Sequence, residues 1–140
     1  NPSERFMKVL NLTIKHKYLC AVLEGRKVQE VREVRPNNIK RYLQLDSEGY
    51  EVEDEHGNSQ PVPYDAIRFR SRENADDYAL VEIKESCCEM FTDDEGKLIT
   101  YQHGLNSEGE PLFWAAEQVV YRLGKILDYC VTNQETSRTE

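Results

Sequence analysis

The sequence predicts an α+β protein in which many short strands form a curled or closed sheet around one main helix near the N-terminus. Three observations lead there. The chain has 140 residues, a length that fits one domain and can bury about two-thirds of its unfolded surface without disulfide or metal staples. Only one early stretch repeats apolar residues at helical spacing. From residue 42 onward, apolar and polar residues alternate between turns rich in Asp, Asn and Gly.

Each element follows in order. Val9, Leu10 and Leu12 read as a short strand. Thr13 is expected to cap a helix over residues ~14–24 with its hydroxyl. Ile14, Tyr18, Leu19, Val22 and Leu23 form the apolar stripe of that helix, and Gly25 supplies a left-handed stop. Val28, Val31 and Val34 are strand formers set among charges, ended by Pro36-Asn37-Asn38. Leu43 and Leu45 lead into the turn Asp46-Ser47-Glu48-Gly49, and Tyr50 and Val52 into His56-Gly57-Asn58. Tyr64–Phe69 and Tyr78–Ile83 alternate as strands. Hairpins pivot on Asp93-Asp94-Glu95-Gly96 and on Asn106-Ser107-Glu108-Gly109. The unequal spacing of these turns speaks against internal repeats. Residues 112–131 fit either a helix or a strand. The expected domain spans residues 7–131, with flexible tails at 1–6 and 132–140.

The net charge of −8 hides a dipolar chain. Residues 1–41 hold ten Lys/Arg against four Asp/Glu, a local +6, which leaves −14 for residues 42–140. A cationic segment of this kind suits an anionic partner, while the acidic remainder opposes indiscriminate phosphate binding. No apolar run reaches the ~18 residues of a membrane-spanning helix, and the start offers no apolar stretch of signal-peptide length. A soluble, cytoplasmic protein without membrane contact is expected. The four cysteines (Cys20, Cys87, Cys88, Cys130) contain no Cys-x-x-Cys pair. With His16, His56 and His103 they make no zinc spacing, so they read as buried or half-buried free thiols in a reducing compartment, with no metal and no cofactor.

The informative segment is Glu24-Gly25-Arg26-Lys27-Val28-Gln29-Glu30-Val31-Arg32-Glu33. A half-buried strand keeps its charges on one face. Here Glu30 and Arg32 share one face, and Lys27, Glu33 and Arg35 the other, so part of the strand looks into something polar. Lys27 follows the helix-ending glycine, where a turn can swing its ammonium towards Glu30. Such a constellation presents two cations to an anion or a base edge, with a carboxylate to orient them. The plainer alternative is a surface ladder of ion pairs, each worth little. Tyr18, Tyr42, Tyr64, Tyr78 and Trp114 are either core residues or stacking platforms beside a basic cleft. No nucleophile elbow, P-loop or dinucleotide fingerprint occurs.

The segment Gly25-x-Lys27-x-x-Glu30-x-Arg32 resembles the G-x-K-x-x-E-x-R signature of the ASCH domain, a relative of the PUA-like β-barrels. Tyr64-Asp65-Ala66-Ile67-Arg68-Phe69 resembles the family's Gly-Asp-x-Ile-x-Phe-like strand, and Ala79-Leu80-Val81 its Ala-x-Val strand. The likeness covers roughly residues 8–90 and departs at Tyr64, where the family usually has glycine. It implies a PUA-like curled barrel of about five or six strands, and it favours a strand over Val119–Val131. It also implies a cleft that binds RNA or a nucleotide-like ligand. Gly25, Arg26, Lys27, Glu30 and Arg32 would line that cleft, with Lys15 and Lys17 joining Arg26 at its rim.

Some small members of the family hydrolyse N4-acetylcytidine. Amidohydrolysis of a modified nucleoside is therefore the alternative function, with Lys27 and Glu30 as the essential pair. Those members use a threonine where this chain has Glu30, and a carboxylate does not replace a neutral nucleophilic hydroxyl without changing the mechanism. A binding module is the favoured expectation. The oligomeric state is open.

Overall fold

A computed structural model describes residues 7–132 of the chain. The proposed tails at 1–6 and 133–140 lie outside the described residues. Thr132, expected in the tail, is tied down: its N–H and its hydroxyl both donate to Asp77 Oδ1, at 2.8 and 2.7 Å.

The described chain runs β1 (Val9–Ile14), α1 (His16–Leu23), β2 (Gln29–Val34), α2 (Ile39–Tyr42), β3 (Ala66–Ser71), β4 (Tyr78–Met90), β5 (Thr100–Leu105), β6 (Pro111–Ala115) and β7 (Glu117–Cys130). The protein is therefore α+β and mostly β. Five strands form one sheet in the order β1-β3-β4-β7-β2, and β5 and β6 form a second sheet of two. The pairing order of the larger sheet is open, so no closed barrel forms among the described residues. The described residues form seven strands against the expected five or six, and residues 111–130 are strand throughout apart from Ala116. Of the cysteines, Cys87 and Cys130 are exposed rather than buried or half-buried as expected. Among the described residues, no helix is long and apolar enough to cross a membrane.

The chain divides into two compact units, and the division falls within β2, β4 and β7. The first comprises residues 7–30, 63–85 and 122–132. Its β1 buries Leu10, Leu12 and Ile14 and exposes Asn11 and Thr13, the period-2 pattern of a one-sided strand. β1 pairs in parallel with β3 from Val9↔Ala66 to Ile14↔Ser71. That register decides the helix start. Thr13 stays in the strand opposite Arg70, and Lys15 takes the cap position with no side-chain bond. The expected hydroxyl cap is thus absent because the β1–β3 ladder claims the residue first. α1 buries Leu19, Ala21 and Val22 against a core that includes Ala66, Ile67, Phe69, Ala79 and Val81.

The second unit comprises residues 31–62 and 86–121, with Val34, Tyr42, Leu43, Val119 and Tyr121 buried in it. One turn recurs here four times, contrary to the absence of repeats expected from spacing. Residues Asp46, Asp54, Asp93 and Asn106 each accept backbone N–H bonds on Oδ1 from the second and fourth residues downstream. Each turn closes with the N–H of a left-handed glycine (Gly49, Gly57, Gly96 or Gly109) on the carbonyl three residues earlier. Only glycine takes those φ values without strain. The N–H of Asn58, helped by that of His56, holds the Asp54 carboxyl below its ordinary value.

The hydrogen bonding also closes two rings of three. Val52 donates to Gln44, Gln44 to Gln60, and Gln60 to Val52; Ile99 donates to Phe91, Phe91 to Ala116, and Ala116 to Ile99. Turn spacing hides this duplication because β5 and β6 are inserted between Ile99 and Ala116.

Candidate functional site

The site begins with how α1 ends. Gly25 has φ +78°, and Arg26 N–H donates to the Ala21 carbonyl at 2.9 Å while Gly25 N–H donates to Val22 at 3.1 Å. This is a Schellman stop. Lys27 N–H adds a second bond to the Ala21 carbonyl at 3.1 Å, so the backbone that carries the lysine is pinned to the helix end. From there Lys27 Nζ reaches Glu30 Oε1 at 2.8 Å. The pairing inferred from the sequence is present.

The partners differ in burial. The Glu30 side chain is 6% exposed and that of Lys27 23%. A carboxylate so far from water needs charged or hydrogen-bonding company, while the ammonium keeps a path to solvent. Lys27 also lies over the ring of Tyr18, 6.0 Å from its centroid, and Lys17 approaches the same ring at 5.1 Å. Tyr18 therefore offers an exposed aromatic face beside two cations.

Lys27 lines a cavity of about 200 Å³ in the first unit. Its apolar walls are Val22, Val28, Val81, Leu123 and Ile126, and Gly25 and Gly124 contribute backbone. The volume is below the ~300–1,000 Å³ of sites that take drug-sized ligands, so it suits one ring or a comparably small group. Gly124 leaves room for the Glu82 side chain. A Cβ there would overlap Glu82 Oε1 and sit 3.1 Å from Lys84 Cγ, and Glu82 Oε1 accepts the Lys125 N–H at 3.3 Å.

Gly25, Lys27 and Glu30 are brought together. Arg26 turns to Glu24, with Nε–Oε1 at 2.8 Å, on the exposed side of the turn. Lys15 and Lys17 are exposed on the first turn of α1 and at its cap. Arg32 is half-buried in the part of β2 that belongs to the second unit. Tyr64 has no left-handed φ and packs under Lys8 at 5.6 Å.

Two further polar clusters went unread in the sequence. In the first unit, His16 Nδ1 lies 3.0 Å from Ser71 Oγ and 3.9 Å from Asp77 Oδ2. Serine and aspartate face the same ring nitrogen, so the imidazole cannot pass a proton between them through opposite nitrogens as a catalytic triad does. Ser71 and Asp77 are buried, and the cluster pins the start of α1 to the end of β3.

In the second unit, Glu117 is 3% exposed and takes a Cys88 thiol contact at 3.7 Å, while Ser59 Oγ donates to Glu51 at 2.5 Å. Burial, then the charge of Glu51 and a hydrogen bond with it, push Glu117 up to about 8. Burial, then the negative charges of Glu117 and Glu51, push the Cys88 thiol up to about 12. The available signal was an acid lodged between Trp114-Ala115-Ala116 and Val119-Val120-Tyr121. Among the described residues no group of three or more His, Cys, Asp or Glu is arranged to hold a metal ion. No protein-family model, curated protein or solved structure matches the chain.

Proposed function

We propose that this chain is a binding module of ASCH type that takes RNA or a nucleotide-like ligand at the cavity beside the Lys27–Glu30 pair. In this reading the five-stranded sheet corresponds to the PUA-like barrel of that family. The observation that carries it is the double role of Lys27, which lines a largely apolar cavity and is also ion-paired to the buried carboxylate of Glu30. A ring inserted among Val22, Val28, Val81 and Leu123 buries apolar surface. Lys27 then meets an acceptor on its edge, Glu30 holds the ammonium in place, and Tyr18 stacks a neighbouring ring. Lys15 and Lys17 add attraction for phosphate. The same pairing supports binding over hydrolysis, since neither Lys27 nor Glu30 supplies a neutral hydroxyl nucleophile.

The test is equilibrium binding of the four ribonucleosides and of short single-stranded RNAs at low salt. Binding that weakens with added salt, and by about 1–3 kcal/mol in Lys27→Ala, is the expected result. A folded protein that binds none of these probes removes the reading.

A further inference from the structure

The four copies of the turn in the second unit divide into two kinds. Around the first two, the ring of three backbone bonds is formed by Gln44, Val52 and Gln60; around the third it is formed by Phe91, Ile99 and Ala116. The first ring carries two glutamines and one valine, so the same backbone device does not demand the apolar side chains that stand beside the later turns. They are nonetheless exposed: Phe113 is 66% accessible, Leu105 62% and Leu98 52%, with Phe91 and Ile99 close behind. Leu105 and Phe113 stand on the paired strands β5 and β6, where exposed apolar groups suit a partner. β5 and β6 form a sheet of two strands, so each has an edge open to pairing.

The stretch is also acidic. Residues 89–113 hold six Asp/Glu against one Lys, a local −5. The partner that fits is cationic and carries exposed apolar or aromatic groups. This chain carries such groups on α1 and the segment after it: Lys15 and Lys17 are exposed, together with Tyr18 and Val28, the latter 65% accessible, while Arg26 is taken by Glu24.

We propose that the acidic, apolar β5–β6 region of one molecule docks on the cationic α1 face of a second copy. Each molecule brings one surface of each kind, so every copy has two contacts to make, reciprocally in a pair or in series along an assembly. It does not rest on the ligand reading. Sedimentation velocity of the full chain over a range of concentrations tests it. Mass should rise with concentration and fall with salt, and Phe113→Ser should weaken association about tenfold, the scale of losing an aromatic anchor.

A charge exchange controls for misfolding. Lys17→Glu and Glu108→Lys should each weaken association, and the double variant should recover it. A monomer at every concentration overturns the proposal. So does association that Lys17→Glu leaves unchanged, and so does a double variant weaker than either single one.

Discussion

Replacing Glu117 by Gln tests the buried carboxyl pair through the pH dependence of stability. Glu117 has an ordinary pKa of 4.5 and is raised to about 8 in the folded chain. Below 4.5 the folded and unfolded chains both carry the proton. Between the two values only the folded chain keeps it, so stability falls as pH rises, and above 8 the slope from this group vanishes. The full span corresponds to a ceiling of ~5 kcal/mol at ~1.36 kcal/mol per unit. Glu51 is only half-buried, and solvent screening of its charge reduces the expected effect to about 2 kcal/mol.

Glutamine keeps the shape of the protonated acid and can still donate to Glu51, yet has no proton to lose. Urea denaturation at pH 5, 6, 7 and 8 is the assay, with the two proteins compared at each pH so that other titrating groups cancel. The variant should gain on the wild type steadily from pH 5 to 8, by about 2 kcal/mol in total. A constant difference across that range would show that Glu117 is ionised in the folded protein, and the assigned pairing would be wrong.

Further expectations concern the site and its frame. Incubating the protein with N4-acetylcytidine should release no cytidine on chromatography; turnover would replace the binding module by the hydrolase, with Lys27 and Glu30 as its essential pair. Glu30→Gln should cost about 1–3 kcal/mol in urea denaturation, since it removes the charge that the Lys27 ammonium faces at 2.8 Å; an unchanged midpoint would mean that the pair adds nothing. Gly25→Ala should lower stability by about 1 kcal/mol because φ +78° is costly for a side chain. Gly124→Ala should cost about 1–2 kcal/mol by displacing Glu82 from the Lys125 N–H. Adding Glu82→Ala should return part of that loss, and strict additivity would show that the two residues do not meet.

The first unit was largely legible in the sequence, because local chemistry decides it. Period-2 burial around Leu10, Leu12 and Ile14, helical spacing to Val22 and the left-handed Gly25 each left a mark within a few residues. The Lys27–Glu30 contact was legible for the same reason, being three residues apart across a turn. Thr13 misled because capping chemistry and strand pairing compete for one residue, and the partner strand lies some fifty residues downstream. Val119–Val131 was ambiguous because alternation and helical spacing overlap in Val119, Tyr121 and Leu123, and only pairing with distant strands selects β. Glu51, Cys88 and Glu117 were invisible as a group. Their proximity is set by tertiary packing, and no spacing rule encodes it.

The four recurring turns also bear on the order in which the chain folds. Each joins residues six apart, as Leu45↔Glu51, Glu53↔Ser59, Thr92↔Leu98 and Leu105↔Pro111 do. Loops this short close in tens of nanoseconds and hairpins form in microseconds. β1 must instead find β3 across a span from Val9 to Ala66, a parallel pairing whose loop-closure entropy falls due before any contact repays it. The hairpin tips are thus early kinetic seeds, and the β1–β3 seam closes after them. Substitutions at Asp46, Asp54 or Asp93 should slow refolding, whereas truncations of Leu12 in β1 should chiefly speed unfolding if that seam forms after the transition state.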